Sequence, residues 1–354
     1  MTTRLPLLVL SFSISLPAGA DTYFEMDTFF SSEPIALDAI SNKWQSDYHP
    51  NGEKQTASVW LESGLKKNGW SLGLLYREEH HLTFSSNTAD LYYTISNDQE
   101  LTPNQDYKID LDAYRFRGIG ARAAKNVYQN NALQLSLGGS FFYATNLLEG
   151  TVTGSASADN EETYSYEFAG DYVYDEDPVF DRPNVDSPTG VGLALDVGML
   201  WQANSQTQVA LKVKDLAGAI HWSDAPYTEA QASSDTNTIN DDGLSSVNPI
   251  LTGVEGYRSS YTQNLKTSAN LSVNYQLKNS PYSANTKLKY INDLTLYAVG
   301  GSKQTQTGKL SFHYWPQLHT LEGGFQGKKL GLSLAIDNLD FSETQTVWLN
   351  LKYH

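Results

Sequence analysis

The side chains of this chain best suited to chemistry are charged residues set at alternate positions opposite apolar ones. Arg77, Arg115, Arg117, Asp196, Lys212, Lys214 and Glu322 read this way, as do Glu62, Lys66, Lys309, Asp337 and Lys352. Alternate residues of a strand share a face, so strands closed into a barrel would turn these side chains into one interior. Mixed charge there suits a polar pore, and Arg/Lys clusters favour anionic solutes. The same residues paired with one another would instead fill the interior of a small barrel.

Two other groups invite a chemical reading. His80-His81 with Ser85-Ser86 is suggestive of hydrolysis, which needs a nucleophile, a base and an orienting group together. No H-E-x-x-H accompanies it, the pair stands at a strand-to-loop edge, and no catalytic residue is assigned. Residues 161–186 carry Glu161, Glu162, Glu167, Asp171, Asp175, Glu176, Asp177, Asp181 and Asp186 against Arg182. Oxygen-rich clusters can hold calcium, but the D-x-[DN]-x-[DN]-G spacing is missing, so a solvated acidic run is the simpler reading and no metal is assigned. The aromatics interleaved there fit an external hairpin or a contact surface for a protein partner.

Composition narrows the field. With Lys+Arg 24 and Asp+Glu 40 the formal charge is −16, which repels nucleic acid. There is no cysteine, so disulfides and thiolate chemistry are excluded. Mean hydropathy is −0.42, which does not exclude a membrane barrel, because only alternate strand residues meet lipid.

Strands are the elements that must position the charges. Residues 1–20 read as a secretory signal: Arg4, an apolar Leu5–Leu16 core, and Ala18-Gly19-Ala20 as the cleavage site. Residues 21–55 lack sustained alternation and are read as an N-terminal periplasmic or plug segment, with a short helix after Glu33-Pro34. From 56 to 354 strands recur. Leu193, Leu195, Val197 and Trp201 share one face of a long strand, and Leu349, Leu351 and Tyr353 share one face of the last. Short turns at 68–69, 204–205 and 327–329 alternate with long polar stretches at 78–107, 146–188 and 223–261, read as external loops. Trp60, Trp70, Trp201, Trp222, Trp315 and Trp348 fall in or at the ends of strands, where an interfacial girdle would place them. The reading is an all-β, antiparallel up-and-down transmembrane barrel of about twelve strands, within ten to fourteen.

The last stretch, Thr344 to His354, alternates apolar Val347, Leu349, Leu351 and Tyr353 with Trp348, Asn350, Lys352 and His354. A chain ending on such a strand, with an aromatic next to last, resembles Gram-negative outer-membrane β-barrels. That resemblance implies recognition of 344–354 by the barrel-insertion machinery and contact with outer-membrane lipid and lipopolysaccharide. The family's strand usually closes on Phe or Trp; Tyr353-His354 departs from this. The run VALKVKDL (209–216) echoes GLSLAIDNL (331–339), each strand closing on an Asp-Leu or Asp-Asn-Leu step. With Gly190–Gly198 and Ile220–Trp222 it looks like FadL-type and TraF-like barrels, over a minority of the chain. FadL-type barrels carry hydrophobic substrates and have an N-terminal hatch, and no hatch motif stands in 21–55.

These readings converge on a cofactor-free protein of the cell outer membrane, not an enzyme, that passes or binds a small solute through its lumen. The alternative is a structural or assembly protein acting through its external loops, with the acidic loop 146–188 as the partner surface. An outer-membrane lipid hydrolase is a second alternative.

Overall fold

The computed structural model describes residues 20–158, 164–234, 237–239, 245–247 and 250–354. The expected leader therefore lies outside the described residues, except for Ala20. Strands β1 (Asp21–Ser32), β2 (Lys54–Lys67), β3 (Trp70–Phe84), β4 (Asp106–Gln129) and β5 (Leu133–Ala158) follow one another antiparallel. The next place in the wall is shared by β6 (Tyr164–Tyr174) above and β7 (Thr189–Gln202) below, both lying between β5 and β8 (Thr207–Ser233). Two short strands, β9 (Asn237–Ile239) and β10 (Ser245–Val247), pair with each other. Beyond β8 a place is again shared, by β11 (Ile250–Asn264) above and β12 (Ser268–Gln276) below. Then come β13 (Tyr282–Ile291), β14 (Leu294–Gln304), β15 (Lys309–Trp315), β16 (Thr320–Gln326), β17 (Leu330–Ile336) and β18 (Thr346–Tyr353), which pairs back onto β1.

The wall thus closes with fourteen places, the upper end of the expected range. Two strands account for the difference from twelve. One is β1, whose register with β18 runs from Phe24↔Tyr353 to Ser31↔Thr346. Residues 21–32 are therefore barrel wall rather than a leader or plug. Their alternation is blurred because Tyr23 and Phe29 face inward among Glu25 and Asp27, while Thr28 faces out with Phe24 and Met26. The other is the division of 282–304 into β13 and β14 at Asn292-Asp293, both with positive φ (45° and 57°), a two-residue hairpin turn without glycine. Asn68-Gly69, with φ of 51° and 76°, turns β2 into β3 in the same way.

Outward side chains form an apolar band: Ile119, Phe141, Leu193 and Leu195 are 58–64% exposed, and Val197, Leu349 and Leu351 lie partly exposed on the same face. A surface of this kind around a closed barrel belongs in lipid. Trp70, Tyr128, Trp201, Tyr275, Tyr282 and Tyr353 are exposed at the short-turn end, where both ends of the barrel chain also lie, and mark one membrane–water boundary. The protein is a transmembrane barrel of the outer membrane. Four tryptophans expected in the girdle face the lumen instead. Trp60, Trp222, Trp315 and the partly buried Trp348 give their indole N–H to Glu62, Gln263, Glu322 and Asp27, which satisfies the one polar atom of each ring.

The wall is uneven in height. β4, β5 and β8 run for 24, 26 and 27 residues, whereas β15, β16 and β17 run for 7 each. Most of the described residues of 146–188 and 223–261, expected as loops, are therefore strand that continues beyond the apolar band, whereas in 78–107 only 78–84 and 106–107 are strand and the rest is helix and loop. The lipid-facing alternation disappears there while backbone pairing goes on. The outer face of this tall wall is covered by helix α1 (Ser86–Ser96), by 33–53 and by 175–188, which pack Ile35, Trp44, Phe84, Ala89 and Tyr174. Segment 33–53, expected as part of a periplasmic or plug segment, accordingly packs outside the wall at the end opposite the short turns rather than inside the lumen. The inner face stays open, with Thr151, Thr153, Ser155 and Asp171 exposed.

Candidate functional site

A break in the β7–β8 ladder builds the site. Leu195 pairs with Ala217 and Val197 with Val213, so Lys214, Asp215 and Leu216 oppose Asp196 alone. Such a bulge re-aims side chains. Asp215 takes φ 54°, a conformation that Asp tolerates better than most residues, and both Lys214 and Asp215 end up buried in the lumen. The Asp215 amide donates to the Asp196 carboxylate at 3.1 Å and pins the bulge. The Asp-Leu step of 215–216 is thus the bulge itself. Its echo at Asp337 does a different job, accepting the Gln345 and Thr346 amides to close a rim loop.

A layer of ion pairs grows from this bulge and crosses the barrel. Arg77 on β3 donates twice to Asp215 on β8, at 2.8 and 2.7 Å. Arg122 on β4 reaches Asp196 on β7 at 2.8 Å and Glu62 on β2 at 3.3 Å. Lys212 and Lys214 of β8 reach Glu25 at 2.6 Å and Asp27 at 3.5 Å, both on β1, nearly opposite in the wall. Lys289 of β13 stands 4.0 Å over the Trp348 ring of β18. Around Trp60, whose ring lies 4.2 Å from Lys214, six carboxylates (Glu25, Asp27, Glu62, Glu79, Asp196, Asp215) meet five cations (Arg77, Arg122, Lys212, Lys214, Lys289). Near balance of charge is what a dry interior demands. Glu322 forms a second cluster, accepting from Lys287 at 2.6 Å and from the Trp315 indole. Above the layer an apolar cluster including Tyr114, Phe116, Phe142, Ile220 and Trp222 packs the lumen on the tall side.

Of the lining candidates, Arg77, Asp196, Lys212, Lys214 and Glu322 project inward. Arg115 and Arg117 do not. Arg117 shares its face with the exposed Ile119 and pairs with Glu78 at 3.2 Å, while Arg115 pairs with Asp175 at 2.7 Å. The inward face of β4 is taken by Tyr114 and Phe116, so the polar-in rule inverts at this height. Sequence reasoning missed Glu25, Asp27, Glu79, Arg122, Asp215 and Lys289; the Asp-Leu step was the available sign of one of them.

His80 and His81 point to opposite faces of β3, and the Ser85 hydroxyl accepts from the Thr88 amide as the cap of α1. Gly69-Trp70-Ser71-Leu72-Gly73 has G-x-S-x-G spacing, which the sequence reading overlooked. It lies on a hairpin turn leading into β3, without the strand-to-helix elbow that exposes a nucleophile. In the acidic run, Asp177 accepts from Tyr172 at 2.9 Å and from two backbone amides of 175–188, a loop-closing role. Glu161 and Glu162 lie outside the described residues. At the rim opposite the short turns the Tyr48 hydroxyl donates to Asp90; burial, then that carboxylate, hold the phenol well above its ordinary range.

The chain matches a described family of unknown function, DUF5723, over residues 5–317. It belongs to that family. No curated protein matches it. Solved structures it is similar to include the Pseudomonas putida toluene transporter TodX, at 10% identity and TM-score 0.41, with 95% of this chain and 88% of that one covered. The Ralstonia pickettii toluene transporter TbuX gives 10% and 0.34, covering 95% and 89%. A Pseudomonas aeruginosa FadL homologue gives 8% and 0.29, covering 94% and 88%. The FadL-type resemblance is one of barrel to barrel, and at these scores it assigns neither cargo nor route.

Two cavities open inside the wall of this DUF5723 barrel. One of about 400 Å³ opens at the short-turn end beneath Arg122, Asp196 and Lys212. The other, of about 500 Å³, lies on the inner face of the tall wall among Thr151, Thr153, Asp171, Glu229 and Thr252.

Proposed function

We propose that the protein passes a small polar solute across the outer membrane and that the ion layer is its resting gate. The observation carrying this reading is that Lys212–Glu25 and Lys214–Asp27 join opposite walls rather than neighbouring strands. A barrel that only had to be shut would be served as well by hydrocarbon, since a buried ion pair often gains nothing over packed apolar side chains. Long lysine stems can exchange a carboxylate for water or solute, and a packed ring cannot. The 400 Å³ short-turn cavity ends on this layer, as a vestibule to a gate would.

Planar-bilayer recording of the refolded chain tests it. The wild type rests closed with brief openings, and Glu25→Gln or Lys212→Gln lengthens them. Folded variants that stay electrically silent would sink the gate. Silence would favour the second reading, a structural or assembly protein, for which the tall wall and acidic segment 146–188 offer an exposed polar surface above the membrane.

A further inference from the structure

We infer that the short-turn cavity is a binding site for a small oxyanion, a free carboxylate or phosphate dianion. The proposal rests on the passage reading only in treating that anion as cargo. In a chain of net charge −16, the side chains lining this cavity include three cations, Arg122, Lys212 and Lys352, and one carboxylate, Asp196. Gln134 and Ser136 add neutral hydrogen-bonding groups beside them.

The cations are held by Asp196, which itself lines the cavity, and by Glu62 and Glu25, which do not, and donors are left to spare. Arg122 uses Nε on Asp196 and Nη1 on Glu62, and its Nη2 has no hydrogen bond among the described residues. Lys212 and Lys352 share one carboxylate oxygen of Glu25, at 2.6 and 3.8 Å. Glu25 thus shows what these lysines take: a carboxylate already bridges them.

Two glycines keep the space open. A Cβ on Gly138 would meet Arg122 Nη2 at 2.4 Å, and one on Gly198 would meet Ser136 Oγ at 2.4 Å. Side chains there would push into the groups that face the cavity. A planar guanidinium edge beside two ammonium groups fits a carboxylate or phosphate better than a neutral or cationic ligand.

Calorimetric titration of the refolded full chain in detergent, at constant ionic strength, tests the site with inorganic phosphate and with succinate as probes. At least one probe gives saturable binding. Lys352→Gln, whose side chain is 39% exposed and so is tolerated by the fold, weakens it about tenfold. Gly138→Ala weakens it similarly, and Glu25→Gln strengthens it by releasing both lysines. No saturable heat with either probe, or equal affinity in wild type, Lys352→Gln and Gly138→Ala, overturns the proposal. The readout needs no conductance: a silent barrel that binds keeps the site and loses the gate, and a conducting barrel that binds neither probe does the reverse.

Discussion

Arg77 and Asp215 meet through two hydrogen bonds, at 2.8 and 2.7 Å, although one lies on β3 and the other on β8, four wall places apart. Each is at most 3% exposed, and the Arg77 guanidinium also lies near the faces of Phe116 and Trp60. The pair therefore ties a bulge in one wall to a regular strand in another, and the lumen between them has no room for either charge alone.

Removing one partner should be costly. Asp215→Ala removes both hydrogen bonds to the buried guanidinium and leaves it only the longer contact to Glu79 at 3.7 Å, a change expected to cost about 3–5 kcal/mol. Replacing both, as Arg77→Met with Asp215→Leu, should recover most of that loss. Denaturant midpoints of the detergent-folded barrel, read as a double-mutant cycle, check it; a double variant no better than the single would show that the bulge itself needs Asp215.

Arg115 and Arg117 face outward and pair with Asp175 and Glu78. Neutralising both should leave ion preference in bilayer recordings unchanged, while Arg122→Gln should reduce any anion preference. Part-exposed pairs of this type contribute about 0–1 kcal/mol, so the stability of the Arg115/Arg117 variant should stay near wild type. A shifted ion preference in that variant would place its side chains on the conduction path after all.

The contrast shows what alternation can and cannot reveal. Within the membrane, lipid enforces apolar-out, so β7 and β18 were legible from period two alone. Above it neither face meets lipid: Phe116 packs inward, Arg117 stands outward, and the rule reverses within one strand. Inside the lumen, tertiary pairing replaces pattern. Nothing local in Glu25 or Lys289 indicates that their partners come from far round the wall, and Tyr23 and Phe29 disguised β1 by putting aromatics where a polar face was expected. Asn292-Asp293 hid a hairpin because a turn needing two positive φ values normally advertises itself with glycine.

Gly192 shows how tightly the lumen is filled. A Cβ there would lie 2.2 Å from the Phe142 ring. Gly192→Leu should destabilise the barrel by about 1–3 kcal/mol through overpacking, and Phe142→Ala in the same chain should relieve part of it. Additive losses in the denaturant midpoints would show that the two positions do not share the same space.

The outer cover of the tall wall should be sensitive to alkali. Tyr48 donates to Asp90 of α1 and stacks on Tyr93 with ring centroids 4.5 Å apart, fixing 33–53 to the helix. Burial and the neighbouring carboxylate raise the phenol's pKa in the folded state above the ordinary value of 10.0. The bound proton therefore stabilises the contact fully below pH 10, and that contribution is lost as pH rises from there through the raised folded value. Limited proteolysis of 33–53 should accelerate over that alkaline range in the wild type. Tyr48→Phe keeps the ring and loses the ionisation, so its cleavage should be somewhat faster at neutral pH and nearly flat above it. A wild-type rate that does not change with pH would mean that Tyr48 does not hold the segment in place.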